Sequence, residues 1–356
     1  MNKDRISRTI RAMEKRNLSQ ILVTAPASVY YYTGAWIHPG ERMLALYISA
    51  RGDVRLYANR LFALGGTLDT PLAEFDDAED CVALLAGDMA PGTLGIDKTW
   101  PSQFTIRLMQ ARPDITPVLG SAPVDETRMI KDAQELEWMK IASRMNDQAM
   151  SATISAIHGG MTEAELAAEY VAQAGSLGSE GASFDPLVCF GANCAEPHHA
   201  TSHAALAEGD SVILDLGCLH GRYCSDMTRT VFFGRADDEQ RKVYDVVQAA
   251  NAAGRAAVRP GVPMCEVDRA ARKVIEDAGY GKYFIHRTGH GIGLEVHEHP
   301  DASSVCPIIA QPGMVFSVEP GIYLPGKFGV RIEDLVAVTE DGCETLNALN
   351  REMIVL

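Results

Sequence analysis

Four of the chain's ten histidines fall within one short stretch, His286 to Pro300, which reads HRTGHGIGLEVHEHP and interleaves them with three glycines and two glutamates. Histidine-rich, glycine-rich segments can cradle phosphate, hold zinc on a helix, or supply one part of a composite site. No Lys-Ser/Thr pair follows the glycines, which excludes a P-loop. The glycines themselves break the helix that a helical zinc motif needs. The stretch therefore reads as half of a site, with the other half elsewhere in the chain.

Carboxylates supply that other half. The segment SVILDLGCLHGRYCSDMTRTVFFG (211–234) has the alternation of a β-hairpin. A two-residue turn at His220-Gly221 sets Leu219 against Arg222 and, further out, Asp215 against Asp226. Directly opposed residues have Cβ atoms about 4.5–5.5 Å apart. Two carboxylates so placed among Ile213, Leu214, Leu216 and Val231 repel each other unless something positive lies between them. A second hairpin, MVFSVEPGIYLPGKFGVRIEDLVAV (314–338), turns near Pro325-Gly326-Lys327 and brings Glu319 roughly opposite Glu333, with Pro320 interrupting the ladder.

A single acid in a strand is usually a solvated edge residue or a satisfied hydrogen-bond partner. Four acids paired across two hairpins, with histidines between them, fit that reading poorly. With one imidazole added, Asp215, Asp226, His290, Glu319 and Glu333 form an oxygen-rich set suited to divalent Mn, Co, Fe or Zn. Five ligands with four carboxylates exceed the needs of one zinc. They suit two ions about 3.5–4 Å apart sharing bridging carboxylates. Of the remaining histidines, His199 and His203 read as surface or supporting residues, His220 as an exposed turn residue, and His299 has no assignment.

The elements that must position this set can be read outward from it. A long helix (about 133–157) ends at His158-Gly-Gly160 and is followed by MTEAELAAEYVAQAGSLG, whose Thr162 and Glu165 form a capping box. Roughly 100 residues later the order recurs. A helix from about 238 to 258 ends at Arg259-Pro-Gly261, and VPMCEVDRAARKVIEDAGYG forms its successor. Each pair leads to histidine-bearing loops and a carboxylate-bearing hairpin, so the second domain is expected to be pseudo-twofold with its site between the halves. Before it, ILVTA (21–25), MLALYIS (43–49) and VRLYA (54–58), a helical stretch near 78–88 and TLGID (93–97) give an α/β pattern. PDITPVLGSAPVDET (113–127) reads as the boundary, dividing the chain into 1–127 and 128–356.

Bulk composition narrows the partners. A net charge of -15 disfavours nucleic acid and anionic membrane, which both call for a basic surface. No apolar run reaches the roughly 18 residues of a membrane span. The charged, amphipathic N-terminus MNKDRISRTIRAMEKRN lacks a signal-peptide core, and a cytoplasmic location is expected. Eight scattered cysteines without a Cys-x-x-Cys pair read as reduced, mostly buried thiols.

DLG…SDMTRT, TGHGIGLEVHE, VFSVEPGIY and VRIEDLV resemble the successive metal motifs of the pita-bread metallopeptidases, and within them most resemble the Xaa-Pro dipeptidases (prolidases) and Xaa-Pro aminopeptidases. The resemblance covers essentially the whole chain. It implies an α/β creatinase-like N-terminal domain followed by an α+β pita-bread catalytic domain. It also implies a dinuclear peptidase that cleaves the Xaa-Pro bond at the N-terminus of dipeptides or short peptides, through a water or hydroxide held between two metal ions, manganese being favoured. By carry-over Asp215 binds one ion and His290 with Glu319 the other, while Asp226 and Glu333 bridge. Glu319 is the expected general base. His198 and His297 face the substrate, and His286, Arg331 and Tyr323 line the site, with Arg331 also open to a plain ion-pair role. A homodimer is expected. Creatinase shares the fold but lacks the ligands retained here. The alternative is a metal-dependent hydrolase of the same fold acting on a non-proline amide, as ectoine hydrolases do.

Overall fold

The computed structural model describes residues 1–356 and divides them into two compact units, Met1–Arg128 and Met129–Leu356. In the first, six strands form one mixed sheet: β1 (Gln20–Val23), β2 (Ala45–Ser49), β3 (Val54–Asn59), β4 (Leu72–Phe75), β5 (Gly92–Ile96) and β6 (Ile115–Leu119), ordered β4-β3-β2-β1-β5-β6. Helices α1 (Lys3–Glu14), α2 (Pro26–Thr33), α3 (Cys81–Ala86), α4 (Ser102–Ala111) and α5 (Ala122–Met129) accompany it. Leu22, Tyr57, Leu85, Leu94 and Leu108 belong to one of its buried clusters. The segment 113–127, read from sequence as a boundary loop, instead holds β6 and most of α5. Pro117 lies inside β6, which the sheet tolerates because β6 is an edge strand.

The second unit repeats one arrangement. Helix α6 (Ala133–Ser155) begins at a capping box between Asp132 and Glu135, and α7 (Glu163–Ser176) at the one expected between Thr162 and Glu165. Helix α8 (Asp238–Ala257) opens with a third box, Asp237 with Gln240, and α9 (Met264–Asp277) follows. Five strands precede α8: β7 (Leu187–Phe190), β8 (Ser211–Leu216), the short pair β9 (Leu219–His220) and β10 (Tyr223–Cys224), and then β11 (Met227–Phe232). After α9 come β12 (Gly289–Gly291), β13 (Glu298–Ala302), β14 (Val315–Val318), β15 (Gly321–Leu324), β16 (Phe328–Arg331), β17 (Asp334–Val338), β18 (Cys343–Thr345) and β19 (Ile354–Val355). Antiparallel β7-β8-β11 in one sheet matches antiparallel β12-β14-β17 in the other. Asp226 immediately precedes β11 and Glu333 immediately precedes β17, so the two bridging candidates occupy corresponding places.

The first hairpin differs from expectation by one residue at its turn. His220 pairs with Tyr223, so Gly221 and Arg222 form the two-residue loop, both with positive φ (58° and 69°). That is the pattern of a tight hairpin turn matching strand twist. The shift places Asp215 opposite Thr228 rather than Asp226. A slip of two along the partner strand preserves the face, so the two aspartates become diagonal neighbours on one side. In the second hairpin the pairing is as read: Val318 faces Asp334 and Gly321 faces Arg331, one continuous register across Pro320 that sets Glu319 against Glu333. Cys81, Cys189, Cys194, Cys218, Cys224 and Cys306 are buried, and all eight cysteines are free thiols.

Candidate metal centre and active site

One cavity of about 570 Å³ is lined by Asp215, Asp226, His290, Glu319 and Glu333 together with His198, His286, His297 and Arg331. The strands explain this convergence. Asp215 stands in β8 and Asp226 at the start of β11, Glu319 just beyond β14 and Glu333 just before β17, while His290 lies at a bulge in β12. Strand β12 can lie against β14 because Gly289 has no side chain: an added Cβ would overlap the Ser317 carbonyl.

Ligand atoms of Asp226, His290 and Glu333 lie within 4.8 Å of one another, and all three residues are buried. Glu319 joins them, its Oε1 3.5 Å from His290 Nε2. The remaining distance from His290 Nε2, to Asp226 Oδ2, is 3.8 Å. These separations are not ion pairs. Burial, and then neighbouring His297, push the His290 pKa down to about 3, so the ring is neutral. With Nδ1 3.1 Å from the Gly291 carbonyl, Nδ1 carries the proton and Nε2 turns its lone pair toward the acids. An imidazole lone pair facing carboxylate oxygens at these distances is the arrangement that a cation between them would satisfy.

The acids say the same. Asp215 Oδ1, Asp226 Oδ1 and Glu333 Oε1 are buried with no hydrogen-bond partner. Burial, followed by mutual repulsion with Glu333, Asp215 and Glu319, raises the Asp226 pKa well above the usual carboxylate range, and burial raises Glu333 likewise. Glu319 is pushed up to about 7, chiefly by burial and against the pull of Arg331. Buried acids under such mutual repulsion, with orphaned oxygens converging on a neutral imidazole, fit hard or borderline divalent ions.

Around this set the polar contacts are specific. Arg331 donates to Asp215 Oδ2 at 2.6 Å, to the Tyr323 hydroxyl at 3.0 Å and, through Nε, to Thr228 Oγ1 at 3.1 Å. The ion-pair role left open for Arg331 is therefore present. Tyr323 is buried behind the cavity wall, and its hydroxyl also meets His286 Nε2 at 2.8 Å. Burial and the nearby Arg331 depress the His286 pKa to about 4. His198 and His297 are exposed at the mouth, and the His297 ring packs edge-on against His290 with centroids 4.2 Å apart. His199 is partly buried, 3.6 Å from Glu163, and His203 is exposed. His220 pairs in β9 rather than forming the turn.

Sequence reading missed Thr228, which donates to Glu333 Oε2 at 2.7 Å, and Ser317, which donates to Glu319 Oε1 at 3.3 Å. The correct hairpin register, setting Thr228 against Asp215, is the signal that finds the first. Phe184, Leu187, Pro197 and Val296 form the apolar part of the lining; of these only Val296 lies within one of the sequence motifs, TGHGIGLEVHE.

Comparison with known proteins gives this geometry a family. The model of metallopeptidase family M24 matches residues 137–340, and that of the creatinase/prolidase N-terminal domain matches residues 5–130. An uncharacterized peptidase of Staphylococcus saprophyticus is 36% identical over 336 residues, covering 92% of this chain and 95% of its own. The crystal structure of a dipeptidase from Pyrococcus horikoshii superimposes with a TM-score of 0.94 at 37% identity, over 99% of this chain and 100% of the other. A recombinant prolidase from Thermococcus sibiricus gives 0.95 at 35% identity, over 100% and 99%. With acids and imidazole gathered for a divalent metal and both domain models matched, the chain belongs to metallopeptidase family M24, with a creatinase/prolidase-type N-terminal domain and a pita-bread catalytic domain.

Proposed function

We propose that the protein is an Xaa-Pro peptidase that hydrolyses the bond before proline in dipeptides or short peptides, using two divalent ions held by Asp215, Asp226, His290, Glu319 and Glu333. The observation that carries the reading is the meeting of orphaned carboxylate oxygens with the lone pair of a neutral His290 in one cavity. When bound, the ions supply a nucleophilic water of lowered pKa and polarise the scissile carbonyl.

The chain's own residues do the rest. Asp215 would hold one ion, His290 and Glu319 the other, and Asp226 and Glu333 would be shared by the two. Glu319 accepts the proton of the attacking water and hands it to the leaving amine. His297, its pKa lowered by partial desolvation and then by nearby Arg287 although the residue reaches solvent at the mouth, donates a hydrogen bond toward the reacting carbonyl together with His198. His286 and Arg331 line the substrate side, with Tyr323 fixing both from behind. Carboxylate-rich ligation favours manganese, and we place the enzyme in the cytoplasm as a homodimer. No helix is long and apolar enough to cross a membrane.

The decisive test strips the protein with chelator, reloads it with Mn, Co or Zn, and compares Xaa-Pro dipeptides with longer Xaa-Pro peptides. Metal-restored cleavage before proline is expected. Restored activity confined to non-proline amides would replace this reading with a hydrolase of different specificity.

A further inference from the structure

Helices α6 and α8 each bury one asparagine at the same place in the repeat. Asp132 to Asn146 and Asp237 to Asn251 span the same fourteen residues from helix N-cap to amide. Asn146 and Asn251 are almost wholly buried, at 0% and 1% exposure. Asparagine is a poor helix former, and a buried amide is costly unless its partners are exact in geometry.

Those partners lie beside the ligands. Asn146 Nδ2 donates to the Leu216 carbonyl at 2.7 Å, the residue after Asp215. Asn251 Nδ2 donates to the Val318 carbonyl at 2.9 Å and the Ile332 carbonyl at 3.3 Å, the residues before Glu319 and Glu333. Leu216 and Val318 are the last residues of β8 and β14, so each amide holds the backbone where its strand ends, and at Glu319 it works beside the N–H that donates to the Thr288 carbonyl at 2.7 Å. Beyond Glu319, Pro320 offers no backbone donor to take over.

Each amide is itself fixed on its acceptor side. Asn146 Oδ1 accepts from the Tyr170 hydroxyl of α7 at 2.7 Å. Asn251 Oδ1 accepts from Arg255 Nε at 2.8 Å, and that guanidinium lies 3.6 Å from Asp334, the neighbour of Glu333. A generic buried amide would take any free carbonyl. These two take the carbonyls flanking Asp215 in one half and flanking Glu319 and Glu333 in the other.

We infer that Asn146 and Asn251 are paired positioning residues, each aiming the carboxylates of one half of the repeat and so governing a different metal subsite. Resting on the two-ion reading above, the assignment makes the two variants unequal. Asn146 acts on the ion served by Asp215. Asn251 acts chiefly on the ion served by His290 and Glu319, and more weakly, through Ile332 and Glu333, on the other.

The test is calorimetric titration of chelator-stripped protein with Mn(II), needing no turnover. D215N and H290A first identify which of two binding steps belongs to which subsite. N146S should then weaken the Asp215 step by about 10–100-fold, the usual effect of losing a group that orients a ligand, and leave the other within about threefold. N251S should weaken the step identified by H290A by the same factor of about 10–100 and, because Ile332 adjoins the shared Glu333, weaken the Asp215 step by a smaller factor. The visible spectrum of the Co(II) form should change in each. Far-UV circular dichroism confirms folding, and where a serine variant does not fold, N146L or N251L keeps the size and removes the amide without adding a charge. Equal weakening of both steps by either variant, or titrations matching the parent protein, would overturn the assignment. Fewer than two steps in the parent protein would overturn the two-ion reading and the assignment with it. Two normal parental steps with indifferent variants would sink the assignment alone.

Discussion

Asp215 is divided between two environments: its Oδ2 accepts from Arg331 at 2.6 Å, while its Oδ1 is buried with no partner. Arg331 thereby turns one lone pair set toward the cavity and holds the carboxylate in place. Its side chain is 3% exposed and that of Asp215 18%, so the pair is largely, though not wholly, withdrawn from water.

Removing the cation from such a pair leaves an uncompensated buried charge, at a cost of roughly 3–5 kcal/mol. Arg331→Met should therefore lower the melting temperature of the metal-free protein steeply. Loading with metal should recover a large part of that loss, because bound cations offset the same carboxylates. Differential scanning calorimetry with and without metal measures both. An equal loss in the two states would show that Arg331 stabilises the fold without reference to the metal site.

Asp226→Ala or Glu333→Ala should abolish hydrolysis of Xaa-Pro substrates. Both side chains lie in the tight group with His290, and each retains an unpartnered oxygen. Initial-rate assays on metal-saturated protein decide the matter. Full activity in either variant excludes a shared dinuclear site.

His297→Ala should lower kcat by about 10²-fold, the order expected on removing one donor to a developing oxyanion, with metal content unchanged. Its ring touches His290 but faces the mouth. Elemental analysis beside steady-state kinetics separates the alternatives, since loss of metal would make His297 a ligand.

His286 supplies a pH signature. Its pKa falls from 6.5 to about 4 on folding, mainly through burial and then through Arg331. The unfolded chain binds this proton where the folded one does not. The stability it protects is complete above pH 6.5 and is lost as pH falls toward 4, by up to about 3 kcal/mol. His286→Asn should remove that component. Urea unfolding of metal-free protein at pH 7 and pH 4 should show a smaller acid-side loss in the variant than in the parent. Parallel curves would refute it.

The contrast between the two hairpins shows how much of the site local sequence could carry. Pro325-Gly326-Lys327 is a turn by composition, and the register it sets runs unchanged through Pro320 to Glu319 and Glu333. At 220–222 a glycine is compatible with either turn position, and nothing local says that Arg222 adopts positive φ. The choice is made from far away: Glu180 accepts the Gly221 N–H at 2.6 Å and the Arg222 N–H at 3.2 Å. The acids stayed legible despite the slip because hairpin pairing conserves faces. The edge strand β6 was hidden for a different reason, its Pro117 and exposed residues reading as loop until the sheet supplies a neighbour on one side only. The asparagines were illegible as functional residues, since only the folded helices bring their amides to the ligand carbonyls.

The division of the acids between two hairpins has a last consequence, for the life history of the molecule. Asp215 and Asp226 come from one half of the repeat and His290, Glu319 and Glu333 from the other, over a hundred residues further along the chain at its extremes. Neither half alone carries the whole donor set, so the five side chains converge only once both halves have docked, and an ion taken up there would report completed folding rather than assist its early steps.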